Sequence, residues 1–224
     1  MVLEATDSNA SGMQEALAQL CQVYWYPLYA FVRRKGYDRS QAEDLTQSFF
    51  TELLEKGRLK HAEPLRGSFR SFLLASLNNF IANQWRAENA IKRGGDKSVL
   101  SIDFAQADNQ YTFEPSNDLT AEKIFERNWA LSILEQALGA VRVQYEESGK
   151  LKLFESLQGF LTGNADVAYS ELSETTGMRE GALKVAVHRL RQRYGQQLRL
   201  QIARTVQDPA QVDGELNSLF QALE

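Results

Sequence analysis

Tyr169-Ser170-Glu171-Leu172-Ser173-Glu174-Thr175-Thr176-Gly177-Met178-Arg179-Glu180-Gly181-Ala182-Leu183-Lys184-Val185-Ala186-Val187-His188-Arg189-Leu190-Arg191 is the stretch on which the fold turns. Leu172 holds a core position of a short first helix. Gly177 permits the left-handed backbone that a tight interhelical turn needs, and Met178 is the apolar plug behind it. Leu183, Val187, Leu190 and Tyr194 then share one face of a second helix. Glu180, Lys184, His188 and Arg191, at spacings of four, four and three, share another. Ser173 and Ala186 are small where the two helices must approach. The pattern predicts a helix-turn-helix whose second helix is buried on one side and offers a basic stripe to a DNA major groove. The plainer alternative is a helical hairpin ending in an arginine-rich, solvated helix.

Outward from this pair the chain reads as helix nearly throughout. Leu17, Leu20, Val23, Tyr24, Leu28, Phe31 and Val32 recur at three- and four-residue spacing, closed by Gly36. Pro27 falls within that run and predicts a kink or a fresh helix start. Asp38 is a natural cap for a second helix with Ala42, Leu45, Phe49, Leu53 and Leu54 on its buried stripe, ended by Gly57. A third helix, about residues 68–89, places Phe69, Phe72, Leu73, Leu77, Phe80, Ile81 and Trp85 on one side. Periodicity fails from Asp96, where the chain turns polar and acidic, and returns near Thr120 with Ile124, Phe125, Trp129, Leu131, Leu134, Leu138, Val141 and Tyr145. The expected architecture is all-α: two small helical domains, residues 14–95 and 119–206, joined by an acidic linker over 96–118, with the helix-turn-helix in the second. A carboxyl-terminal extension over 207–224 follows. Within it Asp208-Pro209 is a cap followed by a helix-initiating proline, and Val212, Leu216, Leu219, Phe220 and Leu223 mark an amphipathic helix.

Composition narrows the function. The 224 residues are 43% hydrophobic and 24% charged, as in ordinary soluble domains. No apolar run approaches the ~18 residues of a membrane span, and the amino-terminal residues lack a basic start followed by an apolar stretch, so neither a membrane nor secretion is expected. Cys21 is the single cysteine, which excludes an intrachain disulfide, and with two histidines a Cys/His zinc site is excluded as well. A cytoplasmic setting without metal or cofactor is the expectation. Catalysis finds no support either: His61 and His188 lack a nucleophile partner by motif, and no glycine loop for phosphate is present.

The net charge of −4 would ordinarily argue against a nucleic-acid partner, but the charges are segregated. Residues 38–56 hold five acids and two bases, and residues 103–126 hold six acids and one base. Residues 58–97 hold eight bases against three acids, and residues 179–199 hold six against one. Two positive segments on an acidic chain suggest two separate contacts with nucleic acid. The third helix adds to this. Asn78, Asn79, Asn83, Gln84, Trp85, Arg86 and Asn89 crowd its carboxyl half, and so many asparagines in a helix work against its intrinsic propensity. Amides can hydrogen-bond base edges, and Arg86, Lys92 and Arg93 can meet the backbone. Trp85 is expected to close the hydrophobic core; the other reading has it supporting an unstacked base. On the second helix, Phe49 and Phe50 point about 100° apart, so a narrow stripe cannot bury both, and one of the two is expected to be an outward anchor for a partner. Asp44 and Gln47 lie three apart and can present polar contacts beside it.

In these residues the chain resembles a bacterial RNA polymerase sigma factor of the extracytoplasmic-function type. Ala42-Glu43-Asp44-Leu45-Thr46-Gln47-Ser48-Phe49-Phe50 is similar to the family's Asp-Leu-x-Gln-x-x-Phe signature, and implies that Asp44, Gln47 and Phe50 bind a coiled coil of the polymerase largest subunit. Residues 69–79 resemble the helix that leads into promoter melting and −10 reading, which implies a −10 role for Asn78, Asn79, Asn83, Gln84, Trp85, Arg86, Lys92 and Arg93. Residues 169–191 resemble the −35-reading domain, which implies duplex contacts by Arg179, Glu180, Lys184, His188, Arg189 and Arg191. The resemblance spans nearly all of residues 17–206, with its segments in the family's order. It implies core RNA polymerase and promoter DNA as partners and a factor that is not an enzyme.

The chain departs from the family pattern in places. Arg179 stands where a serine cap is usual, with Thr176 as a candidate to join the turn. Ala182-Leu183-Lys184-Val185-Ala186 keeps one base where the family often has two, so no −35 sequence preference carries over. The extension over 207–224 is expected to pack on the second domain as one more helix; the sharper expectation is an autoinhibitory tail, with an anti-sigma factor as the other source of control. The competing reading of the whole chain is a helix-turn-helix repressor or activator that binds operator DNA by itself.

Overall fold

A computed structural model describes the backbone of residues 10–55, 68–90, 119–162, 168–206 and 208–224, with side chains over 21–53, 68–86, 119–161, 168–206 and 208–224. Among the described residues every regular element is helical, so the chain is all-α. The expected linker over 96–118, and with it Lys92 and Arg93, lies outside the described residues.

Helix α1 (Ala10–Arg34) runs without a break through Pro27. The proline starts no new helix: losing one backbone hydrogen bond is outweighed by burying Val23, Tyr24, Leu28, Tyr29, Phe31 and Val32 on the same rod. Gly36, with φ +96°, ends it in the left-handed conformation. Helix α2 (Arg39–Glu55) opens on a reciprocal cap, in which the Gln41 N–H donates to Asp38 Oδ1 (2.9 Å) and the Asp38 N–H donates to Gln41 Oε1 (3.1 Å). Helix α3 spans Phe69–Ala90. The Tyr24 and Phe69 rings meet edge to face at 5.6 Å, and Phe49 meets Phe80 at 5.7 Å.

One expectation on α2 fails. Phe49 and Phe50 are 3% and 2% exposed, so both are core residues and Phe50 is no outward anchor. Because α2 packs against both α1 and α3, its buried arc is wide enough for two residues set 100° apart.

Helix α4 (Ala121–Glu147), the short helices α5 (Leu151–Leu157) and α6 (Gly159–Thr162), α7 (Tyr169–Thr176) and the long α8 (Glu180–Ala203) follow. A single 3-10 turn (Pro209–Gln211) leads into α9 (Val212–Gln221), and Asp208 caps it by accepting the Ala210 N–H at 2.9 Å.

The chain separates into two compact units, one formed by residues up to Ser132 together with Ala203–Glu224, the other by Ile133–Ile202. The division differs from the segments read from sequence. It falls inside α4, whose first half buries Ile124, Phe125 and Trp129 in the first unit while its second half buries Val141 and Tyr145 in the second. The carboxyl-terminal segment groups with the first unit, where Glu215 finds Arg70. The core of the second unit gathers Val141, Tyr145, Phe154, Leu157, Leu172, Leu183, Val187 and Leu190, with Met178 and Tyr194 half-buried against it.

Candidate nucleic-acid interface

In the second unit, the α7–α8 turn is built as its residues require. Gly177 sits at φ +68°, a region costly for any residue with a Cβ, and its N–H donates to the Ser173 carbonyl at 2.9 Å. The Ser173 hydroxyl donates across the turn to the Met178 carbonyl at 2.7 Å, and the Met178 N–H reaches the Thr176 hydroxyl at 3.4 Å, so Thr176 does join the turn. Helix α8 begins at Glu180, an acid in its first turn, where the positive end of the helix dipole favours it.

Leu183, Val187 and Leu190 are buried, while Arg179, Glu180, Lys184, His188, Arg189 and Arg191 are all exposed. The anticipated basic row therefore stands outward. Two of its members differ in freedom. Lys184 Nζ lies 5.6 Å from the centre of the half-buried Tyr169 ring, close enough for cation–π attraction. Arg191 donates from Nε (3.3 Å) and Nη2 (2.9 Å) to the Phe160 carbonyl at α6. Its guanidinium is thereby tied to α6, while the side chain remains exposed. Phe160 in turn stacks on Tyr169 at 5.0 Å. The sequence pattern gave Tyr169 and Phe160 no role in this face, because aromatic support between helices leaves no fixed spacing.

In the first unit, α3 buries Phe69, Leu73, Leu77 and Phe80. Continuing that stripe by four residues reaches Gln84, not Trp85, and Gln84 is half-buried. Trp85 lies one residue further round and is 66% exposed, so it does not close the core as expected. Asn79, Asn83 and Arg86 are exposed beside it, with Arg86 Nη1 donating to Asn83 Oδ1 at 3.0 Å. Asn78 is half-buried and returns its amide to the Leu74 carbonyl at 3.2 Å, which ties it to its own helix. A cleft of about 220 Å³ between α2 and α3 brings Asp44, Ser48 and Tyr37 to the same opening as Gln84 and Trp85. Asp44 is exposed at this opening; Gln47, half-buried, does not line it. Residues assigned from sequence to two different partners thus share one surface.

A further cluster, absent from any sequence pattern, surrounds Arg70. Its guanidinium donates to Glu126 Oε2 at 2.6 Å and to Glu215, and lies 4.4 Å above the Trp129 ring, with only 11% of the side chain exposed. Burial pushes the Glu215 carboxyl above its ordinary value; Arg70 pulls it down and Glu126 adds to the rise. Burial likewise raises the Tyr24 phenol beside it.

Among the described residues no group of His, Cys, Asp and Glu could hold a metal ion, and no helix is long and apolar enough to cross a membrane. Compared with protein-family models, curated proteins and solved structures, the chain matches none.

Proposed function

We propose that the chain is a transcription initiation factor of the extracytoplasmic-function sigma type, which binds core RNA polymerase and directs it to particular promoters. The first unit opens DNA at the −10 element through α3, and the second holds −35 duplex on the outer face of α8. The observation that carries this reading is Trp85. A large aromatic left two-thirds exposed, flanked by Asn79, Asn83 and Arg86, suits a base that has left the stack better than it suits a packed core. Opening DNA costs roughly a few kcal/mol per unstacked step, and an aromatic platform with amide donors offsets it by trapping the freed base. The acidic net charge suits a factor that binds DNA weakly alone and draws its remaining contacts from a larger assembly.

Run-off transcription with purified core polymerase on a promoter library tests this directly. Promoter-dependent transcripts that require the chain are expected, together with its copurification with core polymerase. A chain that ignores polymerase and shifts duplex DNA tightly alone would instead be an operator-binding repressor or activator.

A further inference from the structure

In the first half of α8 one large apolar side chain is turned outward: Val185 is 50% exposed. At about 100° per residue it lies nearly opposite the buried stripe of Leu183, Val187 and Leu190, so the core of its own unit cannot absorb it. Nor does the helix itself ask for valine. A β-branched side chain loses rotamer freedom against the preceding turn, and an unbranched polar residue suits an exposed helical position better. One turn away stand Gly181 and Ala182 on one side, His188 and Arg189 on the other, all exposed. The first two carry nothing longer than a methyl group, so Val185 is within reach of a surface laid along the helix. Lys184 adjoins it, and the single acid of α8 is Glu180 at its start. Cations on this face favour a polyanion over an apolar partner helix. A duplex presents one apolar group to a helix in its major groove, the C5-methyl of thymine; the other base edges there are donors and acceptors that a valine would desolvate without bonding.

We propose that Val185 is a specificity-determining residue that reads the C5-methyl of a thymine in the −35 duplex, with Lys184 beside it on the phosphates. This names the base chemistry recognised by the outer face of α8, and it rests on the function proposed above.

The test begins with the full chain on core polymerase selecting its −35 element from a randomised duplex library. Each thymine of the selected element is then replaced singly by deoxyuridine, which removes one methyl group and keeps every hydrogen-bonding edge. Binding by the parent should fall about fourfold at one of these positions, as expected for one buried methyl group. Val185→Ser, which has a similar helix propensity and sits at an exposed site, should fold as the parent does. It should bind thymine and deoxyuridine equally at that position while keeping the parental response to salt. Lys184→Ala is the contrast, with weaker binding overall and the methyl preference intact. A selected element without thymine, a parent indifferent to deoxyuridine at every position, or an undiminished methyl preference in Val185→Ser overturns the proposal and leaves the proposed function standing. A chain that selects a duplex only in the absence of polymerase, and loses the methyl preference in Val185→Ser, keeps the role of Val185 and removes the initiation factor. A chain that selects no duplex with polymerase or without it removes both.

Discussion

Trp85 and Phe50 exchange the roles their spacing suggests, and the consequences separate at the level of single side chains. Trp85 is exposed, so Trp85→Ala should shift stability by no more than about 0.5 kcal/mol. If it supports an unstacked base, worth about 1–3 kcal/mol, open-complex formation should fall between roughly fivefold and 150-fold. Permanganate footprinting of the −10 region measures this, and footprints of parental intensity would remove the base from Trp85. On α8 the contrast lies between two cations. Lys184→Ala should weaken duplex binding evenly across sequences and lower the salt slope by about one, as loss of a phosphate contact does. Arg191→Ala should leave that slope in place and cost about 1 kcal/mol of stability through the lost bonds to the Phe160 carbonyl. Equal salt slopes for the two variants would refute the division.

Glu215 gives a pH dependence whose sign follows from its surroundings. Its carboxyl is raised by burial and by Glu126 against the pull of Arg70, so the folded chain binds that proton more tightly than the unfolded one. Stability must then fall as pH climbs from the ordinary carboxylate value of 4.5 through the raised one, and stay level above it. Glu215→Gln removes the charged form. The difference in Tm between this variant and the parent should be near its minimum below pH 4.5 and rise in the variant's favour toward neutrality. A difference that moves the other way would mean that Arg70 outweighs the desolvation.

Among the elements, α2 shows what a sequence discloses and what it withholds. Its existence, its cap at Asp38 and the burial of Ala42, Phe49 and Leu53 follow from local spacing, and all are present. The width of its buried arc depends on how many helices it meets, which is a tertiary fact. Phe50 therefore reads as an anchor and is a core residue. Truncation to Phe50→Ala should cost about 3–5 kcal/mol, visible as a lowered denaturation midpoint, where a surface anchor would cost little. The same limit explains Trp85, whose face changes with a helical offset of one residue. The turn at Gly177 was legible in full because a positive φ has a local signature in glycine. Tyr169 under Lys184, the Arg191 bonds to Phe160, and the Arg70 cluster join residues far apart in the chain, and no periodic pattern encodes them.

For the whole molecule, the decisive quantity is which core the carboxyl-terminal segment stabilises. Leu219 recurs at helical spacing with Val212 and Leu216, so an amphipathic helix is readable from sequence, but its docking site is not: any apolar surface would satisfy that stripe. In the folded chain Leu219 is fully buried, and its segment belongs with α1 to α3 and the first half of α4. Leu219→Ala should therefore cost about 2–5 kcal/mol, and the loss should fall unevenly. Amide exchange should quicken around Tyr24, Leu28, Leu73 and Leu77 while the core around Phe154, Leu157, Leu183 and Leu190 keeps its protection, since local opening follows cooperative units. Uniform quickening would mean that the two cores open as one cooperative body through the shared helix α4. Quickening confined to the second core would place the segment's stabilising contacts there instead.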